Sequence, residues 1–496
     1  MEAKKRSAGI LMPVSSLPSP YGIGTFGKEA YRWVDALVAA GQTYWQVLPM
    51  GPTSYGDSPY QSLSAFAGNP YFIDLETLLE EGLLNREELS EVDWGSDPGR
   101  IDYSLLFQNR FRVLRKAKEA SHFKEEENYK NFLEDSKYWL EDYCLYMALK
   151  NHFDNREWQE WDEDIRMREP EAVEKYKEQL KDDMEFYAFC QYKFYEQWNR
   201  LRSYAKERNI GIVGDIPLYV AMDSADLWAH PKLFILDEKR RPTCVAGVPP
   251  DMFSETGQRW GNPLYDWDAM KQDNYSWWYE RMRANSKLYD VIRIDHFIGI
   301  IRYYKIPAQA ATAREGEYVK GPGRELCDVI NRAIGDSAII AEDLGVIVPE
   351  VRELLKETGW PGMKVLSFAF DSGPDNEYLP HNYKDANCVV YGGTHDNDTL
   401  VNLFENMPEH TRNYLMEYIN IHEPEKIADG ILRVSYASIA QMVIAQVQDV
   451  LCLGGEARMN EPSTLGKNWT WRMEQGAFHE GIIKKLRNLS EVYGRK

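Results

Sequence analysis

Short runs of apolar residues recur along this chain at uneven intervals, and several are nearly continuous in Val, Ile and Leu rather than alternating with polar positions. Eight stand out: GILMP at 9–13, YWQVLP at 44–49, IGIVGDI at 210–216, YDVIRID at 289–295, SAIIAE at 337–342, MKVLSFAF at 363–370, CVVYGG at 388–393 and VLCLGG at 450–455. A strand that is apolar on both faces is covered on both faces, as in a parallel sheet with helices outside it. Helical spacing fills several of the intervals: FGKEAYRWVDALVAA after the first run, PEVRELLKETG after the fifth and TRNYLMEYINIHE after the seventh. Eight strands joined by helical crossovers predict a (β/α)₈ TIM barrel in the α/β class.

The uneven spacing predicts where the barrel is enlarged. Residues 75–205 separate the second and third runs, too far for one crossover. They are rich in Glu, Lys, Tyr and Trp at helical spacing, as in KYWLEDYCLYMALK and EFYAFCQYKFYEQW, and read as a mostly helical insertion. Residues 221–275 carry AGVPPDMFSETGQRWGNPLY, where the density of turn formers predicts no regular element. A long ordered loop of that kind is expected to line a binding cleft. The whole chain, 1–496, then reads as a single catalytic barrel with large inserted subdomains in its loops.

Composition narrows the function. With 44 % hydrophobic and 27 % charged residues the chain is a folded protein rather than a disordered one. Its 58 basic and 78 acidic residues give a formal charge of −20, a balance that repels nucleic acid and anionic membrane and suits neutral substrates. No run of eighteen apolar residues predicts a membrane helix. Six scattered cysteines without a CxxC pair fit a reducing compartment. The apolar part of MEAKKRSAGILMPVSS is short and broken by Pro13, so no leader is expected and the cytoplasm is the expected location.

Four of the apolar runs finish on or near an acid in a polar, glycine-bearing turn: Asp215, Asp295, Glu342 and Asp396. Desolvating an unpaired carboxylate is costly, so a buried strand rarely ends this way without a cause. Arg293 and Asp295 alternate to the same side of their strand, and a guanidinium beside a carboxylate favours the ionised form. That arrangement supplies a nucleophile for an anomeric carbon, or a structural ion pair. Glu342 follows three apolar residues, where partial burial keeps a carboxyl protonated for use as an acid and then a base; the plain alternative is an acid at a helix N-terminus. Asp396, with His395, lies in GGTHDND and offers polar groups to paired hydroxyls.

Taken together, these acids fall at the strand ends where barrel active sites lie. A retaining glycoside mechanism needs one nucleophile and one acid/base about 5–5.5 Å apart, and a third acid can hold sugar hydroxyls. Tyr60, Tyr103, Phe253 and Trp260 occur in polar or glycine-rich settings and are candidates to stack on sugar rings. No HExxH, spaced His/Cys cluster, GxxxxGK[ST] or GxGxxG occurs, so neither a metal nor a cofactor is expected. His230 and His296 read equally well as structural or functional.

At these residues the sequence resembles the 4-α-glucanotransferase family (amylomaltases, or disproportionating enzymes) of the α-amylase-like superfamily. The matching stretches span nearly the whole chain: SYGDSPYQSLSAFAGNPYFIDL, GIVGDIPLYV, AGVPPDMFSETGQRWGNPLYDW, VIRIDHFIG, IIAEDLG, YGGTHDNDT and LGGEARMNEPST. The resemblance implies a barrel without a C-terminal β-sandwich. It implies disproportionation of α-1,4-glucans and maltooligosaccharides with glucose or maltodextrin as acceptor. By resemblance, Asp295 is the nucleophile, Glu342 the acid/base and Asp396 the transition-state stabiliser, while Asp215, Arg293, His395, Tyr60 and Trp260 contact substrate. In one departure, Met252 stands where many members carry Tyr, and a thioether donates no hydrogen bond to an acceptor sugar. Two other readings compete: an α-amylase-like hydrolase, and a non-catalytic glucan-binding barrel.

Overall fold

The computed structural model describes residues 5–54, 56–250 and 254–495. Phe253 and Met252, expected in the cleft, lie outside the described residues. Eight parallel strands form one sheet: β1 (Ser7–Leu11), β2 (Tyr44–Gln46), β3 (Gly211–Ile216), β6 (Val291–Ile294), β9 (Ala338–Ala341), β10 (Gly362–Val365), β11 (Cys388–Tyr391) and β12 (Met442–Gln446). They pair in the order β10-β11-β12-β1-β2-β3-β6-β9. The two outer strands meet to close the ring. The seam is not a ladder: the Ala341 N–H donates to the Pro361 carbonyl at 3.0 Å, and the Met363 N–H donates to the Asp343 carboxylate at 2.7 Å. Gly362 makes room for this, because a Cβ there would come within 2.5 Å of the Asp343 carboxylate.

The continuous apolar strands are buried on both faces. Every residue of β6, β11 and β12 is buried, with the barrel interior on one side and helices on the other. Helix Lys28–Ala39 and the C-terminal helix Glu480–Val492 pack side by side on the outside. Seven of the eight predicted strand runs overlap a barrel strand. The eighth does not. VLCLGG at 450–455 spans the end of a short helix, Val447–Val450, and a turn in which Cys452 has φ +55°. The strand lies upstream, in MVIAQ, where Gln446 ends a buried run. A brief apolar run fits either element by pattern alone, and here the GG pair marks a turn after a helix.

Between β2 and β3 the chain forms a series of helices, from Leu75–Glu80 to the 27-residue helix Lys181–Glu207 that leads back into the barrel. Segments after β3 and after β6 build a second sheet. Its antiparallel strands are β4 (Cys244–Val248), β5 (Gln258–Pro263), β7 (Arg302–Pro307) and β8 (Glu317–Lys320), in the order β5-β4-β7-β8. β4 and β5 correct the expectation that residues 221–275 hold no regular element. Gly247 is the reason they pair: a Cβ there would sit 2.2 Å from the Gln258 carbonyl, so only glycine lets the two backbones approach.

Candidate active site

The register of β3 and β6 builds the floor of the site. Asp215 and Arg293 are partners across that parallel pair. Arg293 Nη1 donates to both Asp215 oxygens, at 2.8 and 2.7 Å. The same nitrogen lies 3.1 Å from Asp295 Oδ1, two residues further along the strand. The Asp215 side chain is fully enclosed, whereas 28 % of the Asp295 side chain faces the cleft. Burial opposes the Arg293 charge, but Asp215 and then Asp295 outweigh it and hold the guanidinium above its ordinary range. Burial pushes the Asp215 carboxyl up, against the pull of Arg293. Asp295 is therefore tethered to a fixed cation with part of its carboxylate open.

Glu342 follows β9, and its position is set by the residue after Asp295. The His296 N–H donates to Glu342 Oε2 at 2.6 Å. His296 holds a left-handed backbone, φ +53°, in the turn that follows β6. Burial first, and the neighbouring Asp295 charge second, raise the Glu342 carboxyl from 4.5 to about 8. Near neutral pH it is protonated. Burial lowers the His296 imidazole to about 4, so that ring is neutral. It meets the Trp260 ring edge to face, with centroids 4.8 Å apart, which connects β5 to the acid.

The loop after β11 carries His395 and Asp396 on the other side of the cleft. Thr394 N–H and hydroxyl both donate to Asn397 Oδ1, at 2.8 and 2.9 Å. Thr399 then caps helix Leu400–Asn406, so the turn is held at both ends. Asn460 donates to Asp396 Oδ1 at 2.6 Å, and His395 Nε2 lies 3.4 Å from Oδ2. Recession in the cleft opposes ionisation of Asp396, but His395 and Asn460 outweigh it and hold the carboxyl well below the usual carboxylate range. In turn, Asp396 raises the His395 imidazole against the cost of its burial. His395 Nε2 is itself buried, and the geometry of its contact with Asp396 falls short of a formed hydrogen bond.

Tyr60 joins the two sides. Its hydroxyl donates to Asp215 Oδ2 at 3.0 Å and lies 3.4 Å from His395 Nδ1. Because the one phenolic proton goes to Asp215, Nδ1 is the donor in the second contact. The Tyr60 and His395 rings stack at 5.0 Å and 15°. Tyr60, Asp215, Arg293, Asp295, His395 and Asp396 thus form one connected network. Glu342 and Trp260 join it through His296. Tyr103 stands one layer out: it begins helix Tyr103–Ala120 and donates to the Trp469 carbonyl at 3.0 Å, while the Trp469 ring leans on Tyr60 and His395.

Three residues of this site were not singled out from the sequence, and a fourth, His296, was left between a structural and a functional reading. Asn460 and Arg458, which donates to the Asp396 carbonyl at 3.3 Å, lie within the motif LGGEARMNEPST, where the signal was present but unresolved into residues. Trp469 follows that motif. His296 acts through its backbone, which side-chain chemistry does not reveal. No group of three or more His, Cys, Asp or Glu among the described residues is arranged to hold a metal ion, and no helix among them is long and apolar enough to cross a membrane.

A family model described as 4-alpha-glucanotransferase matches residues 12–477. The chain belongs to the 4-alpha-glucanotransferase family. The 4-alpha-glucanotransferase of Clostridium butyricum is 48 % identical over 486 residues, covering 98 % of this chain and all of the relative. That of Thermus thermophilus is 45 % identical over 500 residues, covering 99 % of each. The solved amylomaltase from Streptococcus agalactiae, in complex with acarbose, superposes with a TM-score of 0.95 at 42 % identity, covering 99 % of this chain and 100 % of that one. Family membership makes the chain a transglycosylating enzyme and sets aside both competing readings, the amylase-type hydrolase and the binding barrel without catalysis.

Proposed function

We propose that Asp295 and Glu342 divide the work of a retaining double displacement on α-1,4-glucans. The observation that carries this reading is the pairing of a protonated carboxyl, Glu342 at about 8, with a carboxylate tethered to Arg293. An Asp295 oxygen attacks C1 of the donor sugar. The C1–O bond breaks, and the departing oxygen takes the Glu342 proton. Glu342, now a carboxylate, accepts the proton of an incoming sugar 4-hydroxyl as its oxygen attacks C1 and the bond to Asp295 breaks. Two inversions retain the α linkage.

Asp396 and His395 hold donor hydroxyls as the ring flattens and positive charge develops. Tyr60, Asp215 and Arg293 fix the floor beneath that ring, and Trp260 flanks the acceptor. Transfer needs the acceptor to outcompete water, which an enclosing aromatic wall favours by excluding solvent and fixing the incoming hydroxyl. Glucose and short maltooligosaccharides are the acceptors in this reading. A cytoplasmic location is part of it, supported by six cysteines that are all free thiols.

Maltotriose tests the reaction class. Glucose plus oligomers longer than the substrate, with no net gain of reducing ends, is the expected outcome; a steady gain of reducing ends would instead mean hydrolysis. Asp295→Ala is expected to abolish transfer, and normal turnover by the purified variant would remove the assigned nucleophile.

A further inference from the structure

Away from the cleft, three helices enclose a groove of about 400 Å³ that the reaction does not use. Each presents residues at i, i+3, i+4 and i+7, the stripe by which helices normally pack and seal. From Glu127–Ser136 come Asn128, Asn131, Phe132 and Asp135. From Ser276–Leu288 come Glu280, Arg283, Ala284 and Lys287. The long helix Lys181–Glu207 supplies Tyr192, Tyr195, Glu196 and Asn199, with Arg200 beside them. In a structural seam these positions are apolar and interlock. Here they leave a space within the range of small-molecule sites, about 300–1,000 Å³.

The lining chemistry selects the ligand. Its three carboxylates and three cations pair off: Lys287 with Asp135 at 3.1 Å, Arg283 with Glu280 at 2.7 Å, and Arg200 with Glu196 at 2.7 Å. The groove therefore carries no net charge in a chain of formal charge −20, which argues against an anionic or cationic ligand. Between the pairs stand aromatic rings. Phe132 and Trp139 each lie against Tyr195, at 5.6 and 6.1 Å, and Trp139 stacks on Phe66 at 6.3 Å and 12°. Among the described residues, the carboxamides of Asn128, Asn131 and Asn199 are bound to no other protein group. The partly exposed rings of Phe132 and Tyr195, backed by the buried Trp139 and Phe66 and set beside free amide donors and acceptors, match a neutral polyhydroxylated ring, whose C–H face stacks and whose edge hydroxyls take paired hydrogen bonds.

We infer that this groove is a second, non-catalytic site for a segment of α-1,4-glucan, a few glucose units long. The inference rests on the glucan-transferring function proposed above. Phe66 ends the groove and also lines the pocket that holds Tyr60 and Asp215, so the second site abuts the wall of the first without sharing its acids. A short donor fills the catalytic cleft alone. A long or branched glucan engages both sites and gains avidity.

The test compares polymer with oligomer on the full chain. Two variants are used: Asn131→Ala/Asn199→Ala, which removes hydrogen bonds from exposed positions, and Ala284→Trp, which fills the groove. Both are read by retardation in native gels containing amylose and by kcat/KM on amylose and on maltotriose. Loss of amylose retardation and a fall of about tenfold in kcat/KM on amylose, with maltotriose turnover unchanged, is the expected result. Unchanged retardation and unchanged amylose turnover in the double variant would overturn the inference, as would an equal loss on both substrates. Wild-type protein that fails to transfer maltotriose would refute the proposed reaction instead, and retardation, which needs no turnover, would still judge the groove.

Discussion

Glu342 and Asp396 both follow short buried strands at the same rim of the barrel, yet their surroundings drive them in opposite directions. Among the described residues, the only donor in contact with Glu342 is the backbone N–H of His296; burial and the neighbouring Asp295 charge push the carboxyl up to about 8. Around Asp396 stand an imidazole, a carboxamide and a guanidinium that reaches its backbone, and the carboxyl is pulled well below the ordinary range. One acid arrives at the reaction carrying a proton, and the other arrives as an anion. Residue type and strand position do not separate them. The partners do, and most come from segments distant in sequence: residue 296 for the first, and residues 458 and 460, beside the adjacent His395, for the second.

The sharpest way to break the contrast is to remove each acid in turn. Glu342→Gln keeps the shape and removes the transferable proton, and is expected to lower kcat on maltotriose by about 10³–10⁴-fold. A donor with a good leaving group, such as a glycosyl fluoride, should recover much of the first step, because its departure needs no proton. Asp396→Asn should cost less, about 10²–10³-fold, as expected for loss of one electrostatic contact to the developing cation. The same good leaving group should not rescue it. Equal rescue of both variants would erase the distinction.

Titration sharpens the comparison further. In the proposed mechanism transfer needs Glu342 protonated, so kcat/KM should fall as pH rises through about 8, approaching tenfold per unit, with the limb absent in Glu342→Gln. Asp396, held below the usual range, contributes no limb near neutrality. The smallest effect is on stability. A carboxyl raised from 4.5 to about 8 by folding favours the folded state fully below 4.5 and loses that contribution as pH rises to 8. Glutamine does not titrate. Glu342→Gln should therefore melt higher than wild type at pH 9, by about 2–4 °C, and match it at pH 4.

Much of this was legible in the sequence, for identifiable reasons. Runs such as VIRID and AIIAED announce buried parallel strands and place their acids at the rim, because a barrel strand is short and apolar on both faces. VLCLGG misled because four apolar residues before two glycines fit a strand or a helix end equally well, whereas MVIAQ finishes on the polar Gln446. The groove was hidden for another reason. Asn131, Asn199 and Ala284 belong to three helices far apart in the chain, and each stripe alone reads as an ordinary solvated face. Likewise His296 matters through its backbone N–H, which no residue type specifies.

The barrel's seam has a consequence of its own. Seven of its junctions are continuous ladders, while β9 and β10 are held by one main-chain hydrogen bond and by Asp343, whose carboxylate takes the place of a missing carbonyl. The stave that carries Glu342 therefore sits at the weakest joint of the cask. Warming should loosen this joint before the rest, so Glu342 drifts from its place at the rim while most of the helices remain intact.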